Sequence, residues 1–519
     1  MTPFLIGLLI LVGGYFGYGW LVGKAAPADP GRRTPAYAHA DGVDYVAMPT
    51  WRVFLIQLLN IAGLGPVFGP IMGALWGPQV FLWVVFGSIL GGAVHDYFSG
   101  VMSIRNNGAG LPDLIGHYLG RCTRGFATFF ILLLMVLVGT VFVKGPAKLL
   151  VALLPAQTVG GWLGAGATSV LTSTFAGQEV WLWIVMLAIF AYYVLATLLP
   201  IDKLIGRVYP IFAASLLVMV IGLGVQILLG NLKAPSFTLQ NLHPRSLPAW
   251  PIIFITVSCG AISGFHATQS PLMARCLKSE RHMRVVFYGA MIVEALIALV
   301  WAAAAQGYYG GVPGLATALG PKLNDTAVVV HQIAIGSMGT VGGVLAVLGV
   351  VVLPITSGDT AFRVGRLIVA DFFKLPQGPI RNRYLVALPL FAVSIGLNFV
   401  PFGLIWRYFG WANQTLAVFT LWAAAVYLVK RNQRWWWLAA LPATFMTVVT
   451  TTYLMVESRA NGCLGLDHTV GTAIGIGLGA LALTWFLLRR RRMTPEGDAP
   501  QIPPGPLGEV EKQSDTVAC

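Results

Sequence analysis

Apolar residues in this chain gather into runs of about twenty, long enough to cross the roughly 30 Å hydrocarbon core of a bilayer as helices. Polar and basic residues separate the runs from one end of the chain to the other. The pattern predicts spans near residues 4–22, 53–75, 79–103, 126–151, 180–199, 208–230, 250–274, 285–306, 327–355, 384–400, 404–428, 435–456 and 469–488, about thirteen helices in all. Between Met493 and Cys519 the pattern gives way to a Pro-, Gly- and acid-rich stretch that cannot build a core and is expected to be a disordered tail.

Two of the runs contain residues that a continuous helix avoids. "NIAGLGPVFGPI", Asn60 to Ile71, includes Gly63, Gly65, Pro66, Gly69 and Pro70. "SCGAISGFHATQSP" includes Ser258, Gly260, Ser263, Gly264, His266, Thr268, Gln269 and Pro271. Lipid offers backbone groups no hydrogen-bond partners, so an unwound segment at that depth must be satisfied by protein, water, ions or substrate. The alternative is that the glycines permit close helix packing and the prolines only kink. Four predicted helices follow the first interrupted run before the second, and four more follow that, a five-plus-five pattern. Because five is odd, the second set enters the membrane from the opposite side. Broken helices leading inverted halves point to a secondary transporter, with half-helix N-termini facing anionic groups and exposed carbonyls holding cations. On that reading the substrate-binding candidates are Gly63, Gly65, Pro66, Gly69, Ser258, Gly260, Ser263, Gly264 and His266.

The chain then divides into an extra N-terminal helix and cytoplasmic loop (1–52), a first repeat (53–230), a second repeat (231–430), accessory C-terminal helices (431–488) and a tail (489–519). Hydrophobic residues make up 57% of the sequence and charged residues 10%, the balance of a polytopic membrane protein whose partner is the bilayer. The net charge of +14 would suggest nucleic acid in a soluble chain. Here it resolves into loop placement instead. Arg105, Arg121 and Arg124, then Arg275, Lys278, Arg281 and Arg284, and finally Arg489 to Arg492 fall on one side, whereas the other has little beyond Lys233, Arg245, Lys322 and Arg459. The positive-inside rule makes the first side cytoplasmic, with the N-terminus outside and the C-terminus inside. The first run lacks a basic region ahead of it and a clean cleavage site, so a retained helix is expected rather than a secretory signal. The five cysteines show neither paired nor metal-type spacing, and no cofactor or metal site is indicated.

Ionisable groups at bilayer depth cost roughly 3 kcal/mol or more unless they face a partner or a cavity. His95 and Asp96 lie in "GGAVHDYF", and Glu294 in "MIVEALIALVW" holds the same ordinal place in the second half. Asp96 ranks first as the acceptor of a coupling proton or cation, the alternative being a buried structural pair with an arginine or with backbone amides of the unwound segment. His266 is a candidate relay or carboxylate donor, the alternative being a satisfied structural imidazole. Lys144 is expected to snorkel to the outer face. In "LPITSGDTAFRVGR", Thr356, Ser357, Asp359 and Thr360 offer oxygen ligands for a coupling ion such as sodium near the end of their helix. The alternative there is a helix exit whose polar residues cap the next helix. A membrane-embedded hydrolase using His95, Asp96 and His266 lacks any H-E-x-x-H or G-x-S-x-G signature, so the chain is not expected to be an enzyme. A channel is a rival, since broken helices also line pores, but channels commonly oligomerise around one axis with a selectivity-filter loop, whereas here the two cavity-forming segments lie in inverted halves.

With "IAGLGPVFGPIMGALWG", "GGAVHDYFSGVMSIRNNGAGLPDLIG" and "TSGDTAFRVGRL" in view, the chain resembles the carbon starvation protein A family. The resemblance implies an all-α inner-membrane solute transporter with a leucine-transporter-like 5+5 inverted repeat. It implies uptake of a small molecule, a peptide or pyruvate, when better carbon sources run out.

Overall fold

In a bilayer only structures that satisfy their own backbone are stable, and the computed structural model is helical apart from a short hairpin pairing Thr174–Phe175 with Gln178–Glu179. It describes residues 2–42, 44–196, 201–233, 236–377, 379–432 and 434–495, with the backbone alone at 201–212 and 371. Among the described residues nine helices are long and apolar enough to cross a membrane, or ten if one bent pair counts as a single span. The chain is a multi-pass membrane protein.

We number the principal helices in chain order. They are α1 (Thr2–Ala25), α2 (Thr50–Ile61), α3 (Gly65–Gly73), α4 (Val80–Arg105), α5 (Arg121–Leu153), α6 (Val180–Ala196), α7 (Ile201–Leu228), α8 (Ala249–Thr256), α9 (His266–Ala274), α10 (Glu280–Tyr308), α11 (Thr326–Phe372), α12 (Ile380–Leu397), α13 (Phe402–Asn432), α14 (Trp437–Val456) and α15 (His468–Arg490). The end of the run expected at 180–199 lies outside the described residues from 197 onward, as does the expected tail from 496 onward; α15 carries the helix to Arg490.

The largest boundary difference is at the end of α11. The run expected to end at 355 continues to Phe372, kinked at Gly339 (φ 69°) but not stopped by Pro354. Proline deletes a single backbone donor, and beyond it the hydroxyls of Ser357 and Thr360 bond back to their own helix, to Leu353 O at 3.0 Å and Ser357 O at 2.9 Å. These residues are satisfied inside a helix, so they cap nothing. Carbonyls freed by other prolines find donors on neighbouring helices. Pro146 leaves Phe142 O to the Tyr193 hydroxyl at 3.1 Å, and Pro271 leaves Ala267 O to the Ser99 hydroxyl at 3.3 Å.

The accessory helices pack at the periphery. α1 lies along α10 and the first part of α4, and α15 pairs with α14, which rests on α13. On α15, Gly471, Gly475 and Gly479 recur every fourth residue and face Val456, Thr452 and Val448 of α14, a small-residue ridge that lets the two backbones approach.

The segment joining α1 to α2 is strapped to one end of the bundle. The Glu280 carboxylate accepts from Arg105 Nη2 at 2.6 Å and from Asp29 N at 2.8 Å, and Arg105 also donates to Pro27 O at 3.0 Å. Further along, Met48 N donates to Cys276 O at 3.1 Å, and the Arg275 guanidinium stacks over Tyr45. Leaving one member of a buried ion pair alone costs about 3–5 kcal/mol. Glu280→Gln is therefore expected to loosen the strap. Maleimide labelling of the buried Cys276 thiol, read by peptide mass spectrometry, should rise several-fold; an unchanged rate would mean that the strap does not depend on this pair.

Candidate functional site

Both interrupted runs break. Between α2 and α3 only Ala62–Leu64 leave the helix, and the two halves meet at 46°. Gly63 lies in this break, whereas Gly65, Pro66 and Gly69, expected in unwound backbone, are helical residues of α3. The reason is positional: Pro66 falls in the first turn, where no N–H is required and the fixed φ suits a helix start. The second break is longer, residues 257–265, and holds Ser258, Gly260, Ser263 and Gly264; His266 opens α9.

The backbone released by these breaks is satisfied by side chains from other helices. Trp83 Nε1 donates to Val257 O at 2.9 Å and Ser88 Oγ to Gly260 O at 3.2 Å, both from a π-helical stretch of α4, Trp83–Gly92. Asn413 of α13 accepts from Phe265 N at 2.8 Å and from Ser263 Oγ at 3.1 Å through its side chain, and from Gly264 N at 3.1 Å through its carbonyl. Sequence reasoning missed Asn413; its signal was an Asn-Gln pair, "WANQTL", inside an apolar run. At the first break the Ser357 hydroxyl lies 3.0 Å from Asn60 O and 3.2 Å from Leu59 O.

α3, which starts where the first break ends, packs against the second break and the end of α8. A β-carbon at Gly65 would fall on the Cys259 side chain, one at Gly69 would come within 3.0 Å of Thr256 O, and one at Gly260 within 3.4 Å of Pro70. Gly63 faces the Phe142 ring in the same manner, and Gly264 faces the backbone of Asn413 and Ala417. In this arrangement the glycines serve close approach, and the junction is shut.

Beside it lies a chain of ionisable groups drawn from three helices. His95 Nδ1 is 2.8 Å from Asp96 Oδ1, His266 Nδ1 is 2.9 Å from Asp96 Oδ2, and His266 Nε2 is 3.3 Å from Glu294 Oε2. All four side chains are fully buried. Asp96 stands on α4, His266 at the start of α9 and Glu294 on α10, so four residues singled out separately by type form one cluster. Its proton count follows from elementary chemistry. With both carboxylates ionised and His266 doubly protonated the group carries one net negative charge, and one further proton makes it neutral.

The other ion candidates are more dispersed. Thr356 bonds Leu353 O at 2.8 Å and Asp359 faces Arg363 at 3.5 Å, both within α11; of the set, Ser357 alone reaches the first break. Lys144 reaches the turn between α12 and α13. Its buried ammonium donates to Asn398 O at 2.7 Å and Val400 O at 3.0 Å, holding the turn between α12 and α13.

Two cavities approach the junction from opposite ends. One, of about 610 Å³, is floored by Phe402 and Trp406, which with Phe68 form a cluster of rings 5.8–6.3 Å apart. The other, of about 860 Å³, reaches Thr268 and Pro271 of α9 from the end of the bundle where α11 terminates. No residue of either break lines them.

Comparison with known proteins places this architecture in a lineage. The family model described as Carbon starvation protein CstA matches residues 1–160, 147–336 and 302–453. An uncharacterized membrane protein of Haemophilus influenzae is 45% identical over 343 residues, covering 60% of this chain and 91% of that protein. The peptide transporter CstA of Bacillus subtilis is 28% identical over 540 residues, covering 87% and 89%. The pyruvate/proton symporter BtsT of Escherichia coli is 28% identical over 332 residues, covering 55% of this chain and 46% of that one. With matches of that extent along most of its length, the chain belongs to the carbon starvation protein CstA family.

Proposed function

We propose that the protein is a secondary active transporter that takes up a small carboxylated nutrient, a peptide or pyruvate, across the cytoplasmic membrane in symport with a proton. Transport of this kind is what relatives named as peptide transporters and as a pyruvate/proton symporter support. The observation that carries the proton assignment is the buried Asp96–His266–Glu294 chain, which joins α4 to α10 through the first residue of α9, immediately after the second break. A proton entering this chain changes its net charge and therefore the cost of keeping the three helices together. Parting them would open the junction now closed by glycine contacts, where Gly63, Gly65, Pro66, Gly69, Ser258, Gly260, Ser263, Gly264 and His266 would meet the carboxylate.

Local correspondences favour the inverted five-plus-five repeat within about thirteen spans. α3 and α9 are each 9 residues long with proline at the sixth, Pro70 and Pro271. The helices that follow each carry a π-helical stretch, Trp83–Gly92 and Arg284–Gly289, shortly before Asp96 and Glu294. The basic loops orient the N-terminus outward and the C-terminus to the cytoplasm.

Reconstituted protein given an inward proton gradient and no sodium should concentrate labelled pyruvate or a dipeptide, and should fail to do so when the gradient is collapsed. A second reading rests on Ser357, whose hydroxyl and the carbonyls of Leu59 and Asn60 form a small group of oxygens at the first break. Sodium-driven, pH-insensitive accumulation would move the coupling site there, with Thr356 and Asp359 nearby.

A further inference from the structure

The positive-inside rule leaves few basic residues on the face proposed as outer, and they are not spread evenly. Arg245, Lys322 and Arg407 come from three separate segments, the approach to α8, the approach to α11 and the first turns of α13, and all three line the cavity of about 610 Å³. The side chains are exposed, and among the described residues none of the three forms an ion pair. Arg245 donates to Pro321 O and Arg407 Nε to Gly403 O at 3.3 Å, contacts that position guanidinium groups without neutralising them. The lining has one carboxylate, Glu457, which is already engaged by Ser458 N at 2.9 Å and Asn461 Nδ2 at 3.0 Å. His243 adds no charge, because burial, reinforced by Arg245, lowers its pKa to about 4 and keeps it neutral at pH 7.

The floor supplies a second, independent observation. Trp406 is 4% exposed, and its buried indole Nε1–H has no acceptor among the described residues. Buried donors of this kind nearly always find a partner. Three cations against one carboxylate on the walls, and a donor without an acceptor on the floor residue Trp406, match a small anion with several acceptor oxygens, and a cleft of net positive charge concentrates such ions from solution. Beyond the floor stand the Phe68 ring and then the closed breaks.

We propose that this cavity is an outer recruitment site for a carboxylate, in which Arg245, Lys322 and Arg407 hold the solute before the aromatic floor opens. The inference rests on the orientation and the carboxylated solute proposed above, but it is tested without transport. Ala460 is exposed on the cavity wall. In full-length Ala460→Cys protein in nanodiscs, labelling of that thiol is followed by mass spectrometry with an anionic and a cationic methanethiosulfonate of similar size. At low salt the anionic reagent should react about tenfold faster relative to its rate on a free thiol than the cationic one, as expected for steering by a focused field. That ratio should fall toward unity when Arg245→Gln, Lys322→Gln and Arg407→Gln are combined. Pyruvate at about twice its dissociation constant should slow labelling about threefold by mass action, and the triple variant should lose the protection. Charge-independent labelling, or no protection by pyruvate or diglycine at any concentration, overturns the site. Protection in a protein that fails to take up either compound would instead leave this site standing and sink the transport reading.

Discussion

Asp96→Asn protein in liposomes is expected to equilibrate its substrate yet never concentrate it. A one-unit proton gradient is worth about 1.4 kcal/mol and sustains about tenfold accumulation in one-to-one symport; the variant should fall to about one. Asp96 is the centre of the buried chain, accepting from His95 at 2.8 Å and from His266 at 2.9 Å on different oxygens. Asparagine keeps the shape but is neutral in every state, so the proton-dependent change of charge between α4 and α9 disappears. Substrate exchange should survive, because it needs no net proton movement. Glu294→Gln, at the far end of the chain, should also lower accumulation while leaving the pair formed by His266 and Asp96 in place. Both variants should be checked for monodispersity, since removing one partner of a buried pair costs about 3–5 kcal/mol. A folded Asp96→Asn protein that still builds a tenfold gradient would remove Asp96 from the coupling route.

The other large effect is steric. A β-carbon at Gly264 would stand 2.6 Å from Ala417 N and closer still to Asn413 O, backbone atoms of α13 that cannot rotate away. Overpacking a tight site costs about 1–3 kcal/mol for small additions and more for large ones, so Gly264→Leu should reduce uptake to background. Gly65→Leu should do the same against Cys259. The two sites differ in how they can be repaired. Gly65→Ala combined with Cys259→Gly restores the space and should recover much of the uptake lost by Gly65→Ala alone, whereas the conflict at Gly264 is with backbone and has no such remedy. Normal uptake by both leucine variants would mean that the close packing of the second break on α3 and α13 is not part of the working cycle.

How much of this could be read in advance depends on the range of the interaction. Glycine and proline act on their own backbone, so both interruptions were visible, although Pro66 began a helix sooner than expected and Pro354 failed to end one. Buried ions are visible by type in an apolar run, which is why His95, Asp96, His266 and Glu294 stood out singly. That His266 bridges the two carboxylates was not legible, because 170 residues separate it from Asp96 and only tertiary packing brings them together. For Arg105 the sequence showed a place beside a basic loop but not its partner: it is 2% exposed and paired with Glu280, 175 residues away. Asn413 escaped because an amide in a long helix has many uses, and only the fold shows that this one caps the second break.

The most direct test of the proton chain follows the proton itself. Wild-type protein is placed in liposomes that enclose a pH-sensitive dye, with equal pH on both sides and no sodium, and pyruvate or a dipeptide is added outside. Entry of substrate down its gradient should acidify the lumen beyond the change in protein-free liposomes, and the Asp96→Asn protein should give no such acidification. Substrate entry with no protein-dependent change in lumenal pH would contradict proton coupling through Asp96, His266 and Glu294.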